Sequence, residues 1–195
     1  MAFIESITLR GNHVTLEPLA REHADGLALA AGDGKLWELW YTTVPKPDAM
    51  VAEIGRRLDL KKTGSMLPFA VRRNDTGALC GMTTYMNVDA VHRRVEIGST
   101  WHAQSAQRTG INTESKLLML THAFDTLGCI AVEFRTSFMN LQSRAAIARL
   151  GAKQDGILRN HQRLADGGLR DTVVFSIIES EWPAVRRHLQ FKLVR

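Results

Sequence analysis

A short glycine-containing loop, Gln107-Arg108-Thr109-Gly110-Ile111-Asn112, stands between a strand and a helix, and it narrows the folds open to this chain more than any other stretch. Residues 93–101 read as a strand. Over 113–127, Leu117, Leu120, Phe124 and Leu127 recur at helical spacing until Gly128 supplies a stop. A strand, a tight loop and a helix start bring unpaired backbone N–H groups together at the positive end of a helix dipole, a geometry that binds pyrophosphate. A lone glycine before a helix can equally be a plain turn. Neither G-x-G-x-x-G nor G-x-x-x-x-G-K-[ST] occurs in the chain.

The elements around this loop follow from periodicity and turn chemistry. A first strand is expected over 12–18, and an alanine- and leucine-rich helix over 21–31 that Gly32-Asp33-Gly34 ends. A second helix is expected over 48–61 with Asp48 as its N-cap and Met50, Val51, Ile54 and Leu58 on its apolar face. Strands 68–73 and 78–87 should form a hairpin about the turn Asn74-Asp75-Thr76-Gly77. After the long helix come a short strand over 130–137 and a helix from Asn140 to Leu150 that Gly151 closes. A final hairpin follows, 152–164 with 172–178.

The 195 residues are 45% hydrophobic and 23% charged, the profile of one ordinary globular domain spanning 1–195. Lys and Arg outnumber Asp and Glu 25 to 20, but the excess is scattered apart from Arg56, Arg57, Lys61, Lys62 and the pair Arg186 and Arg187. That scatter suits a solvated face or attraction of an anionic cofactor, and no nucleic-acid partner is expected. Cys80 and Cys129 sit apart in apolar runs, as buried thiols do in a reducing compartment. No run approaches the ~20 apolar residues of a membrane span, so a cytoplasmic protein with no membrane partner is expected.

The order strand, Gln107 loop, helix, strand, Asn140 helix resembles the coenzyme A site of the GNAT superfamily of N-acetyltransferases. That family carries a Q/R-x-x-G-x-G/A loop and an asparagine at the head of the following helix. Gln107 and Gly110 match the loop, as does Glu114 early in the helix; Val95 to Trp101 resembles the central strand; Asn140, Ser143 and Leu150-Gly151 resemble the second half of the site. The resemblance spans nearly the whole chain and points to the Rim-type branch, the ribosomal-protein N-terminal acetyltransferases. It implies an α+β GNAT fold: a central mixed, mostly antiparallel sheet of about seven strands with helices on both faces. It implies acetyl-CoA as cofactor, held by Trp101, His102, Gln107, Arg108, Thr109, Gly110, Ile111, Asn112, Thr113, Asn140 and Ser143, and it makes a homodimer a reasonable expectation.

The chain departs from the family in two places. Asn112 stands where glycine or alanine is usual and could serve chiefly as the helix N-cap, and Ile147 replaces the tyrosine that many members use as the acid for the leaving thiolate. The Rim-type branch also lacks that tyrosine, which makes Ser143 the candidate acid. Backbone N–H groups near Trp101 and His102 would polarise the thioester carbonyl. Glu96, acting through water, and His161, on the final hairpin, are the candidate bases.

Trp37, Trp40 and Tyr41 either wall an acceptor pocket for a small-molecule or peptide amine or fill the core. Metal spacing is absent, so no metal is expected. The expected activity is acetyl transfer to a primary amine by direct attack in a ternary complex. The alternatives are a coenzyme A-binding module without catalysis and a regulatory domain that uses the loop for another phosphate ligand.

Overall fold

The computed structural model describes residues 3–194. An eight-stranded sheet runs in the order β1-β2-β3-β4-β5-β6-β8-β7. Its strands are β1 (Leu9–Arg10), β2 (Val14–Pro18), β3 (Met66–Arg73), β4 (Leu79–Asp89), β5 (Arg94–His102), β6 (Ala131–Ser137), β7 (Lys153–Arg163) and β8 (Leu169–Ile178). Every neighbouring pair is antiparallel except β5 with β6. A parallel pair needs a crossover, and the helix after the Gln107 loop supplies it. The eighth strand is the short β1, whose two residues carry too little pattern to be read from sequence.

The helices are α1 (Ala24–Gly32), α2 (Met50–Lys62), α3 (Gly110–Thr121), α4 (Leu141–Arg149) and α5 (Trp182–Leu193). Arg57 on α2 donates to Thr84 Oγ1, while Lys116 on α3 donates to Thr83 Oγ1. Adjacent strand residues point to opposite faces, so α2 and α3 lie on opposite sides of the sheet. α1 packs with α2, and α5 with α3. The core between these layers includes Phe69, Tyr85, Met119, Leu120 and Phe134, all essentially without exposure.

Three boundaries differ from the sequence reading. Asp48 is not an N-cap: it sits inside a 3-10 turn, Pro47–Ala49, that Lys46 precedes and that leads into α2. Pro47 is pre-set for a first helical position and starts the turn one residue earlier. α3 begins at Gly110 rather than at Thr113, with Thr109 as the cap, and runs into a π-helical turn, His122–Thr126. α5 was not anticipated at all, although Pro183 at its first turn and the spacing of Trp182, Val185 and Leu189 are its signals.

Candidate active site

Strands β5 and β6 pair only from Arg94 to Glu96 against Ala131 to Glu133. Beyond Glu96 they part, which leaves an opening between the upper halves of the two strands. A bulge in β5 shapes one side of it. Gly98 opposes Thr84 and Trp101 opposes Met82, so Ser99 and Thr100 together face Thr83, and Ser99 takes a left-handed φ of 46°. The Ala103 N–H donates to the Cys80 carbonyl at 2.8 Å. By antiparallel alternation this bond makes 101/82 a hydrogen-bonded pair as well. The Trp101 N–H is therefore spent on β4, whereas the His102 N–H turns away from β4 toward the opening. Of the two amides expected to polarise a carbonyl, the strand leaves His102.

The loop ahead of α3 is built to keep its amides free. Gln107 donates from Nε2 to the His102 carbonyl at 3.1 Å, Arg108 adopts a positive φ of 59°, and Thr109 Oγ1 donates to the Ala106 carbonyl at 2.7 Å while accepting the Ile111 N–H at 3.3 Å. The first intrahelical bond is the one from the Thr113 N–H to Thr109, so the Thr113 amide is inside the ladder. The amides of Arg108, Thr109, Gly110 and Asn112 lie ahead of it at the positive end of the dipole. Asn112 is not the cap. Its Oδ1 accepts from His102 Nε2 at 3.3 Å and ties the helix to the strand.

A second helix start lies beside the first. Asn140 Oδ1 accepts the Ser143 N–H at 2.9 Å and caps α4, as its position in the sequence suggests. Gln142 Nε2 donates to Gln107 Oε1 at 3.3 Å and joins the two helix starts across the mouth of the opening. Ser143 is half-buried on the first turn of α4.

Two buried cationic-type groups lie under the bulge. Lys116 donates to Thr83 at 2.9 Å and to Thr100 at 2.8 Å with no carboxylate in ion-pair reach among the described residues, and burial lowers its pKa to about 7. Burial, then the Lys116 charge, bring His102 down to about 4, so its imidazole is neutral. Glu114 has a structural part. Its carboxylate accepts the backbone N–H groups of Asn12, His13 and Val14 at 2.6 to 2.9 Å and fixes the start of β2 to α3.

On the α1–α2 face, the register aligns Glu96 with Glu133, and Arg135, Ser137 and Thr172 follow on the same side. Glu96 is 5% exposed, accepts Asn87 Nδ2 at 2.7 Å and pairs with Arg135 at 3.5 Å. Burial raises its carboxyl pKa against the opposing pull of Asn87 and Arg135. Farther along this face is a cleft of about 300 Å³, lined by Trp40, Tyr41, Ser137, Phe138, Met139 and residues of the β7–β8 hairpin. Trp40 and Tyr41 meet edge to face across 5.7 Å. Trp37, expected beside them, does not line the cleft; it lies in a short 3-10 turn, Leu36–Glu38, half-buried. His161 also stays outside the lining. It is exposed, with Nδ1 3.1 Å from Thr172 Oγ1.

A diphosphate-bearing thioester fits this arrangement: unpaired amides and a helix dipole for the anion, a parted strand pair for the extended arm, and an aromatic-walled cleft on the α1–α2 face. No group of three or more His, Cys, Asp or Glu able to hold a metal occurs among the described residues.

The acetyltransferase (GNAT) domain family matches residues 13–153. The chain belongs to the GNAT acetyltransferase family. It is similar to the crystal structure of a GCN5-related N-acetyltransferase from Brucella melitensis, with 32% identity, a TM-score of 0.86, and coverage of 97% of this chain and 86% of that one. It is 34% identical over 106 residues to the Bacillus subtilis (strain 168) protein named "Putative ribosomal N-acetyltransferase YdaF". That match takes in 54% of this chain and 57% of the relative's length. The ribosomal-protein-S5-alanine acetyltransferase of Vibrio fischeri shares the fold at 15% identity, with a TM-score of 0.71 over 91% of this chain and 99% of that one. The GNAT family and the resemblance to ribosomal-protein acetyltransferases expected from the Gln107 loop and Asn140 are borne out. No helix among the described residues is long and apolar enough to cross a membrane.

Proposed function

We propose that this GNAT protein transfers the acetyl group of acetyl-CoA to the primary amine of a peptide N-terminus or a small molecule, in a ternary complex without a covalent enzyme intermediate. The observation that carries this reading is the parting of β5 and β6 after Glu96 and Glu133, directly beside the two joined helix starts.

Acetyl-CoA supplies an activated acyl group as its thioester. The chain's own groups do the rest. The amides of Arg108, Thr109, Gly110 and Asn112 hold the diphosphate, with the exposed Arg108 side chain beside them. The His102 N–H is aimed into the opening, where it can stabilise negative charge on the acyl oxygen. Ser143, whose hydroxyl has no hydrogen bond among the described residues, hydrogen-bonds the departing sulfur or relays to it the second proton that the attacking nitrogen gives up.

On the other face Glu96, its carboxyl pKa raised by burial, accepts the amine proton through water. His161 is the weaker base, since it is exposed and outside the cleft. Trp40 and Tyr41 present an aromatic wall to the amine and its carrier.

The direct test measures thermal shifts with acetyl-CoA, ATP and NAD, then free thiol release from acetyl-CoA against an amine panel. Stabilisation by acetyl-CoA alone, followed by amine-dependent release, supports the reading. Equal stabilisation by ATP or NAD, or no amine-dependent release, would replace it with a phosphate-ligand or coenzyme-binding module.

A further inference from the structure

Within the acceptor cleft one side chain has no counterpart. Arg170 stands on β8 two residues before Thr172 and lines the cleft with Trp40, Tyr41 and Phe138. It is half-buried, its Nε is buried with no hydrogen-bond partner, and it forms no ion pair among the described residues. Its neighbours are already committed. Arg159 is held to Asp171 at 2.5 Å, and Asp171 also accepts the Asn160 N–H at 2.7 Å. Glu96, which attracts Arg170 from a distance, is bound to Asn87 and Arg135. The wall therefore carries two guanidiniums and one carboxylate.

A guanidinium remains protonated in a protein, and taking it partly out of water without a partner is unfavourable. A bound molecule can remove that penalty by bringing an anion, and the planar fork of arginine suits a carboxylate. The cleft is at the small end of ligand pockets, a size that suits a single residue-sized body.

We infer that Arg170 reads the acceptor by receiving a carboxylate carried on the same molecule as the reacting amine, so that acid-bearing amines are the preferred acceptors. This rests on the acetyltransferase reading above. The carboxylate has two sources, the α-carboxylate of a free amino acid or the acidic side chain of a peptide's first residue.

Two matched pairs separate them under saturating acetyl-CoA: alanine against alaninamide, and Asp-Ala-amide against Asn-Ala-amide. In one pair the acid should be favoured in kcat/KM by about tenfold or more, since a site built around a charged hydrogen bond rejects the analogue that lacks it. Arg170→Met, which keeps an apolar stem, and Arg170→Gln should bring that ratio close to one, and Arg170→Lys should retain part of it. Acetyl-CoA affinity by calorimetry, equal in variant and wild type, shows that the variants are folded.

A ratio near one in both pairs for the wild type, or a ratio that the Arg170 variants leave unchanged, overturns the inference while the acetyltransferase reading stands. Weakened acetyl-CoA binding in a folded Arg170→Met protein overturns it too, by moving Arg170 to the coenzyme. Absence of transfer to every amine tested overturns the acetyltransferase reading, and this inference with it.

Discussion

Lys116 Nζ lies 2.8 Å from the Thr100 hydroxyl, so a buried amine, not an ion pair, fastens α3 to the bulged part of β5. Burial holds this lysine at about 7, far below its usual value, while in the unfolded chain it stays protonated to about 10.4. Between pH 7 and 9 the unfolded state therefore binds more protons than the folded one, and the lysine makes stability rise with pH, by up to about 1.4 kcal/mol per pH unit. Denaturant melts across this window should show Lys116→Met with a flatter slope than wild type and the greater relative gain at pH 7. Parallel slopes would mean that Lys116 is charged in the folded protein.

Glu114 is the opposite case, a buried carboxylate whose charge is met by three backbone donors. Glu114→Ala would leave the amides of Asn12, His13 and Val14 without their acceptor and should cost about 3 kcal/mol or more, read as a large fall in Tm. Glu114→Gln keeps one acceptor oxygen and should lose less. A Glu114→Ala protein that melts like wild type would show that water or another group takes over those amides.

Ser143 shares a turn with the Asn140 cap but contributes only its N–H to it. Removing the hydroxyl in Ser143→Ala should leave α4 intact, lower kcat by about a hundredfold to ten-thousandfold as loss of a general acid does, and leave acetyl-CoA affinity nearly unchanged. Equal loss of affinity and turnover would assign Ser143 to binding instead.

Glu96 must be ionised to act as a base, and burial raises its carboxyl above the ordinary value. The acid limb of kcat/KM should therefore lie above the usual carboxylate range, with activity falling as pH drops through it. Glu96→Gln should lower activity and abolish that limb. A limb that survives the substitution belongs to another group.

Local signals carried much of this site. Asn140 and Ser143 are three residues apart, and a cap bond of that span can be read from residue types alone. The Gln107 loop was legible for the same reason. Its boundary was not, because Thr109 and Asn112 are both cap-forming types one turn apart, and only the tertiary bond from His102 Nε2 to Asn112 decides between them.

Contacts of long sequence separation left no local trace. The partners of Glu114 are about a hundred residues away, so its carboxylate looked like part of a loop motif and not a clamp on β2. Trp37 and Trp40 have the same chemistry three positions apart, and the turn between them places only Trp40 in the cleft. Arg170 carries no local signal, since a lone arginine in a strand is ordinary until the fold shows its buried Nε without a hydrogen-bond partner.

Co-crystallisation with acetyl-CoA is the most direct measurement. The density should place the diphosphate against the amides of Arg108, Thr109, Gly110 and Asn112, with the thioester carbonyl within hydrogen-bond distance of the His102 N–H, between the parted halves of β5 and β6. A coenzyme seated elsewhere on the molecule, or a diphosphate held away from the first turn of α3, would overturn the reading.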